Sequence, residues 1–297
     1  YSSAASDVYK RQAFNAFAEY TKSLNDTHNF KVMAGYNQEY KHTKYFWAGR
    51  KELINDANPA MNQATGEKNL GYSESHWAIN GFFARVNYNF KQRYLLELNG
   101  RYDGSSKFAK DDRYAFFPSV SAAWGISQEA FMEDIKWITD LKLRAGYGVT
   151  GNQDGLRPYK SLQLYEAYGT YYSDGSQLTS FRISQNANPD LKWESTAMFN
   201  VGLDFQLFNG RVGGTVEYYS KKTSDMLYDY VVPTPTYVYN KISANVGDMT
   251  NKGIEIMLNA TPVQTKKFVW DTQLNFSKND NKINELLPGE ENKGMTY

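Results

Sequence analysis

The stretch "STAMFNVGLDFQL", residues 195–207, shows a strict two-residue alternation. Every odd position from 197 to 207 is apolar, and the even positions are polar or glycine except Met198. A strand sends alternate side chains to opposite faces, whereas the 3.6-residue period of a helix would mix the two sets. The stretch therefore predicts a β-strand with one apolar face and one polar face.

The same alternation recurs along the chain, and the lengths of the connections between its segments alternate as well. Short turns are predicted at 91–92, 208–210 and 262–266, with long polar connections at roughly 50–75, 152–193 and 226–243. Outer-membrane barrels have this arrangement, with short turns on the periplasmic side and longer loops outside. The further alternating segments are 30–36, 82–90, 94–102, 141–147, 254–258 and 268–276, together with 212–218.

The composition agrees with a membrane barrel. The 297 residues are 16% aromatic, with 24 Tyr, yet the mean hydropathy is −0.65. A barrel strand shows only alternate residues to lipid, so its average stays polar. Aromatic residues beside the tight turns predict an interfacial girdle, although cross-strand pairing in a soluble sheet would also place them there. The fold expected is all-β: about ten antiparallel strands of a transmembrane β-barrel.

Several other classes of protein and site are disfavoured by the sequence. The formal net charge of +1 gives no attraction for nucleic acid, and no cysteine is present. The three histidines are too scattered in sequence to predict a zinc site, and no nucleophile motif such as G-x-S-x-G occurs. We therefore predict no catalytic residue, no metal and no cofactor. The segment 127–138 is expected to form a short helical turn with Ser127 as its N-cap, on the short-turn side.

The segment "GYGVTG", residues 146–151, matches the G-x-G-x-x-G fingerprint of dinucleotide-binding proteins. That fingerprint needs a helix directly after it, whose N-terminus holds the pyrophosphate. The residues that follow, "NQDGLRPYK", contain turn formers and no apolar helical face. We therefore expect Gly146 and Gly148 on the polar face of a strand, with Gly151 opening an outer loop.

Six motifs lie in order along the chain: "RYDGSSKF" at 101–108, "FPSVSAAWGIS" at 117–127, "LKLRAGYGVTGNQ" at 141–153, "NPDLKWE" at 188–194, "NKGIEI" at 251–256 and "NKIN" at 281–284. Together they resemble the barrel of the SusC-like TonB-dependent transporters of Bacteroidota, and the resemblance covers nearly everything after Gln12. It implies a 22-stranded outer-membrane barrel with an N-terminal plug, energised by the TonB complex and partnered by a SusD-like surface lipoprotein. It also implies import of glycans or peptides.

The chain is expected to divide into two parts. Residues 1–12 contain "DVYKRQ", which resembles a translated sequencing adaptor, so we expect an assembly scar there. Residues 13–297 are expected to be a partial barrel that lacks the plug and the last strands.

Candidate contact residues lie in the stretch "YEAYGTYYSDGS", residues 165–176, within a predicted outer loop. Aromatic rings stack on sugars and clamp peptides, so Tyr165, Tyr168, Tyr171 and Tyr172 are candidates for substrate or partner contact, the alternative being packing among loops. Charges on the predicted inner faces either line a solvated lumen or contact a plug; they include Arg85, Arg101, Arg144 and Glu217. A passive porin-like or adhesin-like barrel and a soluble glycan-binding β-protein remain alternative functions.

Overall fold

The protein is described by a computed structural model that covers residues 2–25, 27–55, 57 and 60–286. Ten antiparallel strands form one sheet in the order β1-β2-β3-β4-β5-β6-β9-β10-β13-β14. These strands are β1 Ser2–Leu24, β2 His28–Arg50, β3 Lys68–Phe90, β4 Tyr94–Ser105, β5 Tyr114–Gly125, β6 Ile138–Asn152, β9 Glu194–Leu207, β10 Val212–Ser224, β13 Asp248–Gln264 and β14 Val269–Glu285.

The sheet confirms the predicted antiparallel architecture of about ten strands. Within the described residues β1 and β14 are its two edges, so the sheet is open rather than closed into a barrel. Strand β1 includes residues 2–12, which the sequence assigns to a scar. Backbone pairing does not depend on side-chain identity, so the boundary at residue 12 stays a prediction.

Except for the connection between β5 and β6, short turns and long connections lie at opposite ends of the strands, as predicted. Segments 91–93, 208–211 and 265–268 are tight turns at one end of the strands, where β1 also connects to β2. Longer connections join β2 to β3, β4 to β5, β6 to β9 and β10 to β13 at the other end. Two of the long connections carry hairpins of their own, β7 Leu164–Ser173 with β8 Ser176–Gln185 and β11 Leu227–Val231 with β12 Lys241–Asn245. The predicted turn at 262–266 was placed too early, because β13 continues to Gln264 through a register shift after Ala260.

The connection between β5 and β6 corrects the prediction for residues 127–138. It contains two 3₁₀ turns, Ile126–Gln128 and Ala130–Met132. Ser127 lies inside the first of these turns and its hydroxyl donates to Asp140 Oδ1 at 2.8 Å, so it is not an N-cap. The N-cap of this turn is Gly125, and no side chain caps it, because the turn begins one residue before the serine.

Glu129 fixes this connection to the apolar face of the sheet. Its carboxylate accepts hydrogen bonds from Tyr94 Oη at 2.7 Å and from Trp124 Nε1 at 3.0 Å, and Arg93 Nη1 lies 3.3 Å away. The hydrogen bonds from Tyr94 and Trp124 and the nearby Arg93 charge hold the pKa of the Glu129 carboxyl below its usual range. The connection therefore lies at the same end of the strands as the short turns, against the face of the sheet that carries the aromatic residues.

The two faces of the sheet differ as the alternation predicts. On one face, large apolar side chains stay exposed: Phe199 is 44% exposed, Ile254 43% and Leu274 61%. On the other face, polar side chains hydrogen-bond across neighbouring strands, as between Arg85 Nε and Asn99 Oδ1 at 2.7 Å. A sheet with one apolar face left open needs a second apolar layer or lipid to cover it.

The buried apolar core lies where the long connections meet the strand ends. It consists of Phe108, Phe117, Leu156, Leu191 and Trp193. The Trp193 ring lies 5.0 Å from that of Phe108 and 5.5 Å from that of Phe117, measured between ring centroids. Four of these residues come from three of the motif regions described above, and Leu156 lies in the loop between two motifs, so the core holds the bases of the long loops together.

Candidate functional site

A charged network occupies the polar face near the middle of the sheet. Arg144 Nη2 on β6 donates to Glu217 Oε2 on β10 at 2.6 Å, and its Nε lies 3.1 Å from Asp204 Oδ2 on β9. Gly202 is the register partner of both Arg144 and Glu217, so the arginine must pass over it to reach the next strand. A Cβ at Gly202 would lie 2.8 Å from Arg144 Cζ. A side chain at position 202 would therefore force this guanidinium to shift.

A second network lies toward the long loops on β2, β3 and β4. Arg101 donates from Nε and Nη2 to Asp103 at 3.0 and 2.9 Å, and from Nη2 to Asn37 Oδ1 at 3.1 Å. The side chain of Asp103 lies directly over Gly81, which has no side chain to obstruct it. All four charges predicted for the inner face thus lie on the polar face, and each already has polar partners there. Whether they also meet a plug stays a prediction.

The fingerprint glycines lie within strand β6 and do not form a nucleotide cradle. A Cβ at Gly146 would lie 2.7 Å from Asn200 Oδ1, and one at Gly148 would lie 2.9 Å from Ser119 Cβ, so both positions are crowded by side chains of the polar face. Gly151 corrects the expectation that it opens the outer loop, because β6 continues to Asn152. Its lack of a side chain makes room for the ring of Phe117. No helix begins here, so the backbone N–H groups pair with β9 instead of an anion.

The four predicted contact tyrosines all lie on β7, in the hairpin that projects from the long connection 153–193. Tyr165, Tyr168, Tyr171 and Tyr172 are between 52% and 75% exposed. Strand pairing within the hairpin is local, and β7 and β8 form a sheet separate from the ten main strands. The structure therefore places all four tyrosines on one accessible hairpin, and their contact with a substrate or partner stays a prediction.

A bulge in β7 divides these tyrosines between the two faces of the hairpin. The register shifts between Ala167 and Gly169, leaving Tyr168 as the extra residue. Tyr171 pairs with position 178 of β8, and Tyr168 stacks on Arg182 at 4.4 Å, so these two share a face. Tyr165 and Tyr172 pair with positions 183 and 177 and lie on the other face. The sequence alone does not reveal this division, because it depends on the bulge.

Side-chain hydrogen bonds fasten the base of this hairpin to the sheet. Gln185 Nε2 donates to the carbonyl oxygens of Tyr159 at 2.8 Å and Leu162 at 2.7 Å. The hydroxyl of Tyr159 accepts from the backbone N–H of His76 on β3 at 3.0 Å and lies 2.8 Å from His76 Nδ1. The hairpin is thus held at its root while its tip stays free of the main sheet.

A cavity of about 420 Å³ lies between the two hairpins, and the sequence does not predict it. Its polar wall includes Lys160, whose Nζ is 2.9 Å from Asp229 Oδ2. Burial of Asp229 favours its neutral form, but hydrogen bonds from Ser243 and Lys160 outweigh that effect, so the pKa of Asp229 is lowered. The lining comes from segments 157–164, 184–185, 229 and 239–243, which no sequence spacing connects.

Two of the histidines that are scattered in sequence are neighbours in the sheet. His42 on β2 pairs directly with His76 on β3, and their ring centroids are 6.3 Å apart. His42 Nε2 lies 2.5 Å from Glu74 Oε1. Among the described residues, no group of three or more His, Asp or Glu side chains is placed to hold a metal ion.

The chain is similar in sequence to known TonB-dependent receptors. Residues 1–294 match the family model "TonB dependent receptor-like, beta-barrel". The chain is 34% identical over 286 residues to the TonB-dependent receptor SusC of Bacteroides thetaiotaomicron, covering 94% of this chain and 28% of SusC. It is 38% identical over 271 residues to the TonB-dependent receptor P26 of Formosa agariphila, covering 90% of this chain and 27% of P26.

The fold is also similar to a solved transporter structure. The RagAB peptide importer in the "open-open" state superposes with a TM-score of 0.86 at 28% identity, over 99% of this chain and 33% of the importer chain. The chain therefore spans little more than a quarter of the length of the curated relatives that it matches.

Proposed function

Because the chain belongs to the family of TonB-dependent receptor-like β-barrels, we propose that it is part of the wall of an outer-membrane importer. The complete importer would take up glycans or peptides together with a SusD-like surface lipoprotein, using energy delivered by the TonB complex. No bond in the substrate is changed, so the proposed activity is transport rather than catalysis.

The two-faced sheet is the observation that carries this proposal. Its apolar side chains remain exposed on one face across ten strands, while the other face holds the Arg144 and Arg101 networks. Lipid covers an apolar face of this kind, and an aqueous lumen suits the charged face. The short turns then face the periplasm and the long connections face outward.

The apolar face favours a membrane barrel over a soluble glycan-binding protein, because water would meet far more apolar surface than soluble proteins expose. A passive porin-like or adhesin-like barrel has the same two faces. The family supports the energised importer over the passive barrel, since related chains are TonB-dependent receptors.

The outer hairpins are the best candidates for substrate or lipoprotein contact. The β7–β8 hairpin offers tyrosines on both faces, and the cavity beside it combines Lys160, Asp229 and the amide of Gln185. Aromatic faces with a few convergent polar groups bind either sugars or peptides. RagAB is described as a peptide importer, which makes peptides one of the two substrate classes to test.

Uptake by cells tests the transport proposal. Bacteria that express the full-length receptor would receive fluorescent oligosaccharides in one assay and fluorescent peptides in another, with and without a protonophore. We expect one class to be taken up, and the protonophore to stop its uptake. Receptor-dependent uptake that ignores the protonophore would establish the passive barrel instead.

Paired tyrosine variants test the contact surface of the hairpin. We expect Tyr168→Ala/Tyr171→Ala and Tyr165→Ala/Tyr172→Ala to differ in substrate or lipoprotein affinity, because each pair removes one face. Both variants should leave the barrel equally stable, since the hairpin forms its own small sheet. Unchanged affinity for substrate and lipoprotein in both variants would remove the hairpin from the contact surface.

A further inference from the structure

Four lysines gather on the apolar side of β10, β13 and β14, at its end nearest the long loops. Each lies an even number of residues from an apolar side chain on the same strand, and no register shift intervenes, so each shares the apolar face. They form the group that we name the lysine cluster: Lys222, Lys252, Lys278 and Lys282.

The strand register places Lys252 at the centre of the lysine cluster. Asp280 of β14 is its direct partner, so Lys278 and Lys282 lie diagonally on either side. Lys222 of β10 pairs with Thr250, which makes it the diagonal neighbour of Lys252 across the other strand. Diagonal neighbours in an antiparallel sheet are about 7–8 Å apart, within reach of long side chains.

The lysine cluster is only partly neutralised. Lys222 Nζ lies 3.4 Å from Asp248 Oδ2. Asp280 lies on the same face between Lys278 and Lys282, although neither of these lysines nor Lys252 forms an ion pair within 4 Å among the residues that the structure describes. Four lysines therefore stand against the two carboxylates of Asp248 and Asp280, which leaves an excess of positive charge. Like charges held this close repel one another, and the repulsion is strongest where lipid lowers the local dielectric. A bound anion would relieve it.

The lysine cluster stands at the boundary of the apolar band. Ile254 on β13 is the direct partner of Lys278, and the apolar face continues toward the short turns with Ile256 on β13 and with Leu274 and Phe276 on β14. Lysine stems can lie along such a surface while their ammonium groups reach the headgroup region. With the orientation proposed above, this region is the outer leaflet of the outer membrane.

We propose that the lysine cluster binds the phosphate groups of a phosphorylated lipid headgroup in the outer leaflet. This inference rests on the proposed membrane function, which supplies the bilayer and its orientation. A lipid is favoured over free phosphate because the cluster adjoins lipid-facing apolar side chains rather than the lumen. An excess of ammonium groups on one patch of the surface suits a phosphate, to which lysine binds as a point charge.

The amount of lipid that the receptor retains tests the proposed binding of lipid phosphate by the lysine cluster. The full-length receptor would be reconstituted in nanodiscs that contain either a phosphorylated lipid A or the same lipid dephosphorylated, and co-purifying lipid would be counted by native mass spectrometry. We expect the phosphorylated form to be retained preferentially. Lys252→Gln/Lys278→Gln should reduce that retention about tenfold or more. Inorganic phosphate, added alone, should compete only weakly.

Lys221 supplies a matched control, since it neighbours Lys222 in sequence but lies on the polar face. Lys221→Gln should retain the lipid as the parent receptor does. Equal retention of both lipid forms, or no loss in the double variant, would overturn the inference. If the receptor incorporates into nanodiscs and shows heat-modifiable mobility, such a result leaves the proposed function standing. Failure to incorporate at all would instead contradict the proposed function.

Discussion

Adjacent residues in the middle of β9 should respond in opposite ways to a new positive charge. Val201 lies on the apolar face between Ala145 and Tyr218, whereas Asn200 lies on the polar face with its amide 3.2 Å from Glu217 Oε1. An arginine facing lipid near the midplane costs roughly 2–4 kcal/mol, or about 30- to 1000-fold in the ratio of folded to unfolded protein. Asn200→Arg should cost less than about 0.5 kcal/mol, because water and Glu217 accommodate the charge.

Urea unfolding of the full-length receptor in lipid vesicles measures both costs. Folded barrel would be quantified by its heat-modifiable electrophoretic mobility at each urea concentration. The parent receptor and Asn200→Arg should share a midpoint, and Val201→Arg should unfold at lower urea or fail to assemble. Equal tolerance of both substitutions would show that this face does not meet lipid. If instead Asn200→Arg alone were destabilising, the assignment of the two faces would be reversed.

Three further outcomes follow from the same geometry. Gly202→Val should displace Arg144 from Glu217 and lower the free energy of unfolding in urea by about 2 kcal/mol, whereas an unchanged value would show that the arginine passes elsewhere. Glu129→Gln should lower the urea midpoint at neutral pH. The folded-state pKa of the Glu129 carboxyl is lowered, so its stabilisation is present above its ordinary pKa and is lost as the pH falls through the lowered value. The urea midpoints of the parent receptor and of Glu129→Gln should therefore converge in acid. A constant gap between these midpoints would contradict the role given to the ionised carboxylate. Equilibrium dialysis of the receptor with NAD and with FAD should show no saturable binding at segment 146–151, and micromolar binding abolished by substituting its central glycine would restore the enzyme hypothesis.

Much of the fold could be predicted because alternation is a local property. In "STAMFNVGLDFQL" the side-chain period alone assigns each residue to a face, without knowledge of its neighbours in space. Strand β1 escaped detection because small residues such as Ala16 and Ala18 weaken its alternation. The start of β3 was predicted too late and the end of β13 too early for a related reason. Both strands continue through polar residues, and the pairing of those residues is decided by the neighbouring strand.

The candidate site was predicted only in part. The sequence placed Tyr165, Tyr168, Tyr171 and Tyr172 in an outer loop, and the structure puts them there on a hairpin. The division of these tyrosines between two faces depends on a bulge, which no local propensity marks. The cavity beside them joins residues as far apart in sequence as Arg157 and Ser243, and those contacts exist only after the strands have paired.

The sequence by itself therefore determined that this chain forms a sheet with an apolar and a polar face, and which loops are long. Tertiary structure decided which residues act together: Arg144 with Glu217 across Gly202, and Lys252 with the lysines on either side of it. The physical reason is that the two features depend on different lengths of chain. Alternation is written along a single strand, but charge clusters depend on the register between strands, and register is set by the pairing of the whole sheet.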